Sequence, residues 1–252
     1  MTKQQQSLHY RFFKMLQPST FSFLFIHVLV ISFFGSNQIS ASESTSRQDS
    51  TIEELNFQVL LDDSEIGFHR FRMEKTPDSQ TIDIDANFKV TFLGIPFYRY
   101  MHTNREMWRS GCLESIASNT DDNGDQFIVE GSRNPSGFSI NTGRDQQAID
   151  NTCIMTFAYW NKNFLKRQQL LNSQNGDWLA VDIDFIGAEN ISLGGEKLTA
   201  EKYRIRNTEK DIDITVWYEG ATDRWLSLES RVSGDRLLRY IPVAGNAANK
   251  GK

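Results

Sequence analysis

Residues 82–92 read Ile82-Asp83-Ile84-Asp85-Ala86-Asn87-Phe88-Lys89-Val90-Thr91-Phe92. Apolar and polar side chains alternate without a break, the two-residue rhythm of a strand with one face in a core and the other in water. Gly94-Ile95-Pro96 interrupts it, and Tyr98 to Trp108 takes it up again. There Tyr98, Tyr100, His102, Asn104, Glu106 and Trp108 share one face, while Phe97, Arg99, Met101, Thr103, Arg105, Met107 and Arg109 share the other. Two long strands joined by a short Gly/Pro break predict an antiparallel pair. The second strand sets aromatics beside an imidazole and a carboxyl group, so that face reads as the wall of a polar and aromatic cavity.

The same rhythm recurs on both sides. Leu55, Phe57, Val59 and Leu61 alternate before an Asp62-Asp63-Ser64 turn. In the next run Ile66 and Phe68 share one parity, and Phe71 and Met73 the other. Either a β-bulge sits at His69-Arg70, the preferred reading, or His69 turns inward beside Phe71. Cys112–Asn119 and Phe127–Gly131 predict a hairpin on Asn123-Gly124. Residues 132–151 read as a long loop or weak hairpin, with at most one short strand near Phe138–Ile140. Leu179–Phe185, Tyr203 with Ile205, Ile212–Tyr218, Trp225–Val232 and Arg236–Ile241 complete the strands.

One amphipathic helix is predicted where Phe164, Leu165, Gln168 and Leu171 fall at helical spacing, with Asn161 as cap and Asn175-Gly176 as stop. The expected fold is therefore all-β. It is a single antiparallel, strongly curled sheet of about ten or eleven strands, a barrel or half-barrel with the helix plugging or lining its opening.

The chain has 252 residues, Lys+Arg 27 against Asp+Glu 32 and a formal charge of -5. Its first 41 residues carry Lys3, Arg11 and Lys14 and no acid, which leaves about -8 on the remainder. So acidic a body argues against nucleic acid and anionic membrane surfaces as partners. A basic start followed by the apolar run Phe21–Phe34 reads as a signal peptide over 1–41, cleaved near Ser40-Ala41-Ser42. An uncleaved anchor is the alternative, although the run is shorter than the roughly 20 residues a span needs. A flexible tether over 42–52, a β domain over 53–242 and a disordered tail over 243–252 follow. After cleavage no membrane span is expected, and the sequence is silent on oligomeric state.

Cys112 and Cys153 are the only cysteines. In an exported chain an even pair reads as a disulfide, with two free buried thiols as the alternative. His69 and His102 are the only histidines outside the leader, which speaks against a multi-histidine metal site, and no metal or cofactor is predicted. His102 and Glu106 lie four apart on one strand face, about 13 Å, so any acid/base dyad needs a partner from another strand. Asp121-Asp122-Asn123-Gly124-Asp125 resembles the start of a calcium loop, but Gln126 and Ser132 stand where its glycine and bidentate glutamate belong. No nucleophile elbow, zinc-protease or phosphate-loop motif is present.

Ile66-Gly67-Phe68-His69-Arg70-Phe71, Tyr98-Arg99-Tyr100, Glu106-Met107-Trp108, Thr120 through Gly124, Trp160-Asn161 and Trp217-Tyr218 follow one another in this order. In that combination the chain resembles a family of bacterial exported proteins that bears a domain-of-unknown-function label. The resemblance runs from about Leu55 to Ile241 and implies a single exported domain without assigning catalytic residues. More loosely, the layout is similar to the half-barrels of periplasmic lipoprotein carriers.

Three functions follow as expectations. The first is a periplasmic or secreted binding protein that holds a small amphiphilic or lipid-like ligand against Tyr98, Tyr100, His102, Glu106 and Trp108. The second is a hydratase, isomerase or hydrolase on an apolar substrate, with His102 or Glu106 as acid/base. The third is a structural module of the cell envelope.

Overall fold

The computed structural model describes residues 50–243, apart from 93, 94, 152, 194 and 233. The expected leader, the tether up to residue 49 and the tail after Val243 lie outside the described residues. Fifteen strands follow one another: β1 (Thr51–Leu61), β2 (Ser64–Lys75), β3 (Gln80–Phe92), β4 (Ile95–Arg109), β5 (Cys112–Asp122), β6 (Asp125–Asn134), β7 (Gly137–Asn141), β8 (Gln146–Ile149), β9 (Gln169–Leu171), β10 (Trp178–Ala180), β11 (Asp182–Leu193), β12 (Glu196–Asn207), β13 (Ile212–Glu219), β14 (Trp225–Val232) and β15 (Arg236–Pro242). Since β1 starts at Thr51, the last two residues of the expected tether belong to it.

Thirteen strands form one antiparallel sheet in the order β11-β12-β13-β14-β15-β1-β2-β3-β4-β5-β6-β7-β8, and β9 pairs separately with β10. The first and last strands in the chain meet inside the sheet, with Val59 opposite Tyr240. The edge strands β8 and β11 do not pair, so the sheet is open rather than a closed barrel.

The chain passes from one edge to the other between β8 and β11, and residues 153–181 run through the concave side. Thr156 donates to Glu106 of β4 at 3.4 Å, and the Tyr159 carbonyl accepts from Tyr218 of β13 at 2.6 Å. A flat sheet would hold those two strands, six intervals apart, at about 29 Å. Three residues of chain reach only about 11 Å. The sheet therefore curls around this segment, whose Ile154, Met155, Phe164, Leu170 and Leu171 are fully buried.

On β4 the alternation holds from Tyr100 to Trp108, with even positions buried and odd ones exposed. The outer face is less basic than its arginines suggest. Arg99 pairs with Asp121 at 3.0 Å and Arg105 with Asp83 at 3.3 Å. The Asn123-Gly124 hairpin forms as expected, both residues at positive φ.

Three expectations are corrected. The amphipathic helix is absent: Asn161 does cap a turn, accepting from Asn163 N–H, but only a short 3-10 helix, Lys162–Lys166, follows before Arg167 becomes extended. Leu170 and Leu171 are both buried at successive positions, which a segment lying inside the concavity requires and a one-faced helix does not provide. Asn175-Gly176, read as a helix stop, is instead part of the turn between β9 and β10, where Gly176 has φ +83°. The strand count rises because Gly137–Asn141 and Gln146–Ile149 pair as β7 and β8, because β9 stands where the helix was expected, and because the expected Leu179–Phe185 strand breaks into β10 and β11. Val181 N–H there donates to Gln168 O.

The β-bulge lies at Ile66, not His69. Pairing of β1 with β2 skips from Val59–Gly67 to Leu60–Glu65. Gly67 sits at φ +151° with the Asn87 carbonyl only 1.8 Å from where a Cβ would stand, so the bulge needs glycine. It resets the parity, and His69 turns inward beside Phe71, ring centroids 4.3 Å apart. Cys112 and Cys153 form a disulfide that ties the start of the filling segment to β5.

Candidate functional site

Cross-strand register brings together what the sequence keeps apart. His69 faces Ala86, Ala86 faces His102, and His102 faces Thr120, one row across β2, β3, β4 and β5. The two histidines are two strand spacings apart, about 10 Å, and both point inward. Between them Ala86 contributes only a methyl group, and a cavity of about 230 Å³ opens there. Phe88, Tyr100, Tyr159, Tyr240, Ile212 and Ile214 wall it, and the β9–β10 turn at Asn172, Ser173 and Gln174 covers it.

That turn is built by its own side chains. Asn172 Oδ1 accepts from Gln174 N–H at 2.9 Å, and Asn175 Oδ1 from Asp177 N–H at 3.0 Å. Two hydroxyls of β5 then hold it down: Ser118 donates to Ser173 O at 2.5 Å and Thr120 to Gln174 O at 2.9 Å.

Thr120 Oγ1 also lies 2.9 Å from His102 Nδ1. A threonine hydroxyl has one proton, and Gln174 O takes it, so His102 must donate from Nδ1. Its Nε2 is then a lone-pair acceptor whenever the ring is neutral. Burial keeps the ring neutral, lowering its pKa from the ordinary 6.5 to about 4. His69, hydrogen-bonded to the Tyr240 hydroxyl at 3.1 Å, is pushed to about 3 by burial and then by the neighbouring charge of His102. Burial also raises the Tyr100 and Tyr240 hydroxyls above their ordinary range, so both stay protonated.

Of the five residues singled out from the sequence, Tyr100, His102 and Glu106 line the cavity. Tyr100 stacks on Phe88, ring centroids 5.2 Å apart. Trp108 is outside the lining, buried and edge-on to Trp160 at 5.3 Å. Tyr98 donates to Asp122 at 2.7 Å. Glu106 is held by its own neighbours, accepting from Asn104 and from Trp108, both at 2.9 Å, and from Thr156. Burial raises its pKa and these donors pull it back. His102 and Glu106 form no dyad.

Sequence reasoning missed Tyr240, Thr120 and the 172–174 turn. Only His69 carried a local signal, the parity break. Among the described residues no group of three or more His, Cys, Asp and Glu side chains is placed to hold a metal ion. A larger groove of about 1030 Å³ crosses the outer face of β1–β3 past Glu54, Arg70, Arg72 and Asp85, an ordinary solvated charged surface.

The model of the family described as "Domain of unknown function (DUF6134)" matches residues 57–243. No curated protein matches the chain. Among solved structures it is similar to a DUF1329 family protein from Desulfovibrio piger ATCC 29098, at 10% identity over 79% of this chain and 85% of that one, with a TM-score of 0.23.

Proposed function

The chain belongs to the DUF6134 family, and on that footing we propose that its domain is a non-enzymatic binding module holding a small amphiphilic molecule inside the curled sheet. One observation carries the reading: the cavity above Ala86, with aromatic walls and, in its lining, a His102 whose Nδ1 is taken up by Thr120. Pockets of this make-up, mostly apolar with a few placed polar groups, are where proteins hold small molecules. At about 230 Å³ the space suits a small guest. A whole lipid would require residues 153–181 to leave the concavity.

We further propose that the protein works outside a bacterial cytoplasm, in the periplasm or secreted. The signal-like leader and the Cys112–Cys153 disulfide support that location.

The test is to purify the exported protein with its disulfide intact, denature it, and analyse the released small molecules by mass spectrometry. One species near one equivalent per chain is expected. A protein that emerges empty and binds no member of a small-aromatic fragment panel overturns the reading. An enzyme using His102 Nε2 as general base is the second reading, favoured by that same lone pair. Turnover of a bound fragment, lost in His102→Gln, would establish it instead.

A further inference from the structure

The cavity's polar groups narrow the kind of guest it accepts. We propose, resting on the binding reading above, that it takes an uncharged molecule of single-ring size bearing a hydroxyl group, whose hydrogen is accepted by His102 Nε2, and that it rejects a carboxylate of similar size.

Size comes from the volume. Dry protein cavities of about 150 Å³ accept benzene, so about 230 Å³ admits roughly nine non-hydrogen atoms. Aromatic walls at Phe88, Tyr100 and Tyr159 suit a flat ring.

The hydroxyl follows from the proton arrangement. With Thr120 committed to Gln174 O, Nε2 of His102 can only accept. A guest that displaces water from that nitrogen without supplying a donor leaves an unpaired acceptor, which is costly.

Rejection of anions follows from charge. No lysine or arginine is among the residues lining the cavity, Glu106 brings a carboxyl group of its own, and both histidines are held neutral by burial. No positive charge in the lining offsets the desolvation of a carboxylate.

Calorimetric titration of the intact disulfide-bonded domain at neutral pH with three probes, 4-ethylphenol, ethylbenzene and benzoate, tests this. The phenol is expected to bind about tenfold more tightly than ethylbenzene, the scale of one well-placed hydrogen bond, and benzoate not measurably. In His102→Phe the preference for the phenol over ethylbenzene should vanish while ethylbenzene still binds. Should that variant fail to fold, the imidazole ¹⁵N signal of His102 Nε2 in the unaltered protein should shift with the phenol and not with ethylbenzene. Equal binding of phenol and ethylbenzene, an unmoved Nε2 signal, or binding of benzoate at the phenol's affinity overturns the proposal while leaving the cavity a binding site. If none of the three binds, the binding reading falls with it.

Discussion

At the residue scale, Thr120 connects the cover of the cavity to the state of its acceptor. Its hydroxyl receives from His102 Nδ1 and gives to Gln174 O. In Thr120→Val both bonds go, and a buried imidazole N–H is left without a partner. A loss of about 1–3 kcal/mol in unfolding free energy is expected. The ¹⁵N spectrum should change from one His102 tautomer to a mixture. An unchanged spectrum would mean that the tautomer is set by something else.

The two neutral histidines also give stability a pH dependence. Their folded pKa values, about 3 for His69 and about 4 for His102, lie below the ordinary 6.5. The unfolded chain therefore binds protons first as pH falls. Stability should be complete above about 6.5 and decline from there towards 4, by at most about 2.7 kcal/mol per pH unit when both histidines contribute. Glu106 acts the other way: its folded pKa is raised, so its share is present at low pH and lost as pH rises through that value. Urea denaturation between pH 7.5 and 4.5 should show the decline in the native protein and a much flatter profile in His69→Phe/His102→Phe. Identical profiles would contradict the burial of both rings.

At the element scale, the segment that fills the sheet depends on its anchors. Cys153 bonds to Cys112, and Leu113 N–H donates to Ile154 O at 3.1 Å just beyond. Closing a loop of 41 residues contributes about 4 kcal/mol in the chain-entropy account. Cys112→Ser/Cys153→Ser should therefore unfold at distinctly lower urea, with hydrogen exchange rising first in residues 153–181. A uniform rise across the sheet would show that the segment is not separately held. On the other side, Gly67→Ala drives a Cβ into the Asn87 carbonyl, and a loss of about 2–3 kcal/mol is expected.

The long strands were legible because β3 keeps period two from Ile82 to Val90 and β4 from Tyr98 to Trp108, each with its more buried residues on one face. The filling segment was not, because Phe164, Leu165 and Leu171 satisfy a helical spacing as readily as the irregular path they follow. What decided between them was burial on two sides, a property of the sheet and not of residues 161–176. The site was half legible for the same reason. Tyr100, His102 and Glu106 announce themselves on one strand, but Thr120 reaches His102 through the pairing of β4 with β5, 18 residues away, and Tyr240 reaches His69 across the intervening β1, 171 residues away.

At the scale of the whole sheet, the unusual feature is that its two edges are consecutive in the chain. The connection between β8 and β11 is the material that occupies the concavity, so the open edges and the filled interior have one cause. Central strands β1, β2 and β15 carry Phe57, Val59, Phe71 and Tyr240 against the interior, and they should exchange amide hydrogens most slowly. Strands β8 and β11, each paired on one side only, should exchange fastest. The large outer surface, crossed by ion pairs such as Arg204–Asp213 and Arg206–Asp184, adds little to stability. Function in this account lies in the small volume that the filling segment leaves open above Ala86.

That volume can be removed without touching any hydrogen bond described above. Ala86→Leu places a larger apolar side chain between His69 and His102, and the measurement is calorimetric binding of 4-ethylphenol to this variant beside the native domain. The account predicts saturable one-site binding to the native protein and none to a variant that remains folded by circular dichroism. Undiminished binding by Ala86→Leu would contradict it.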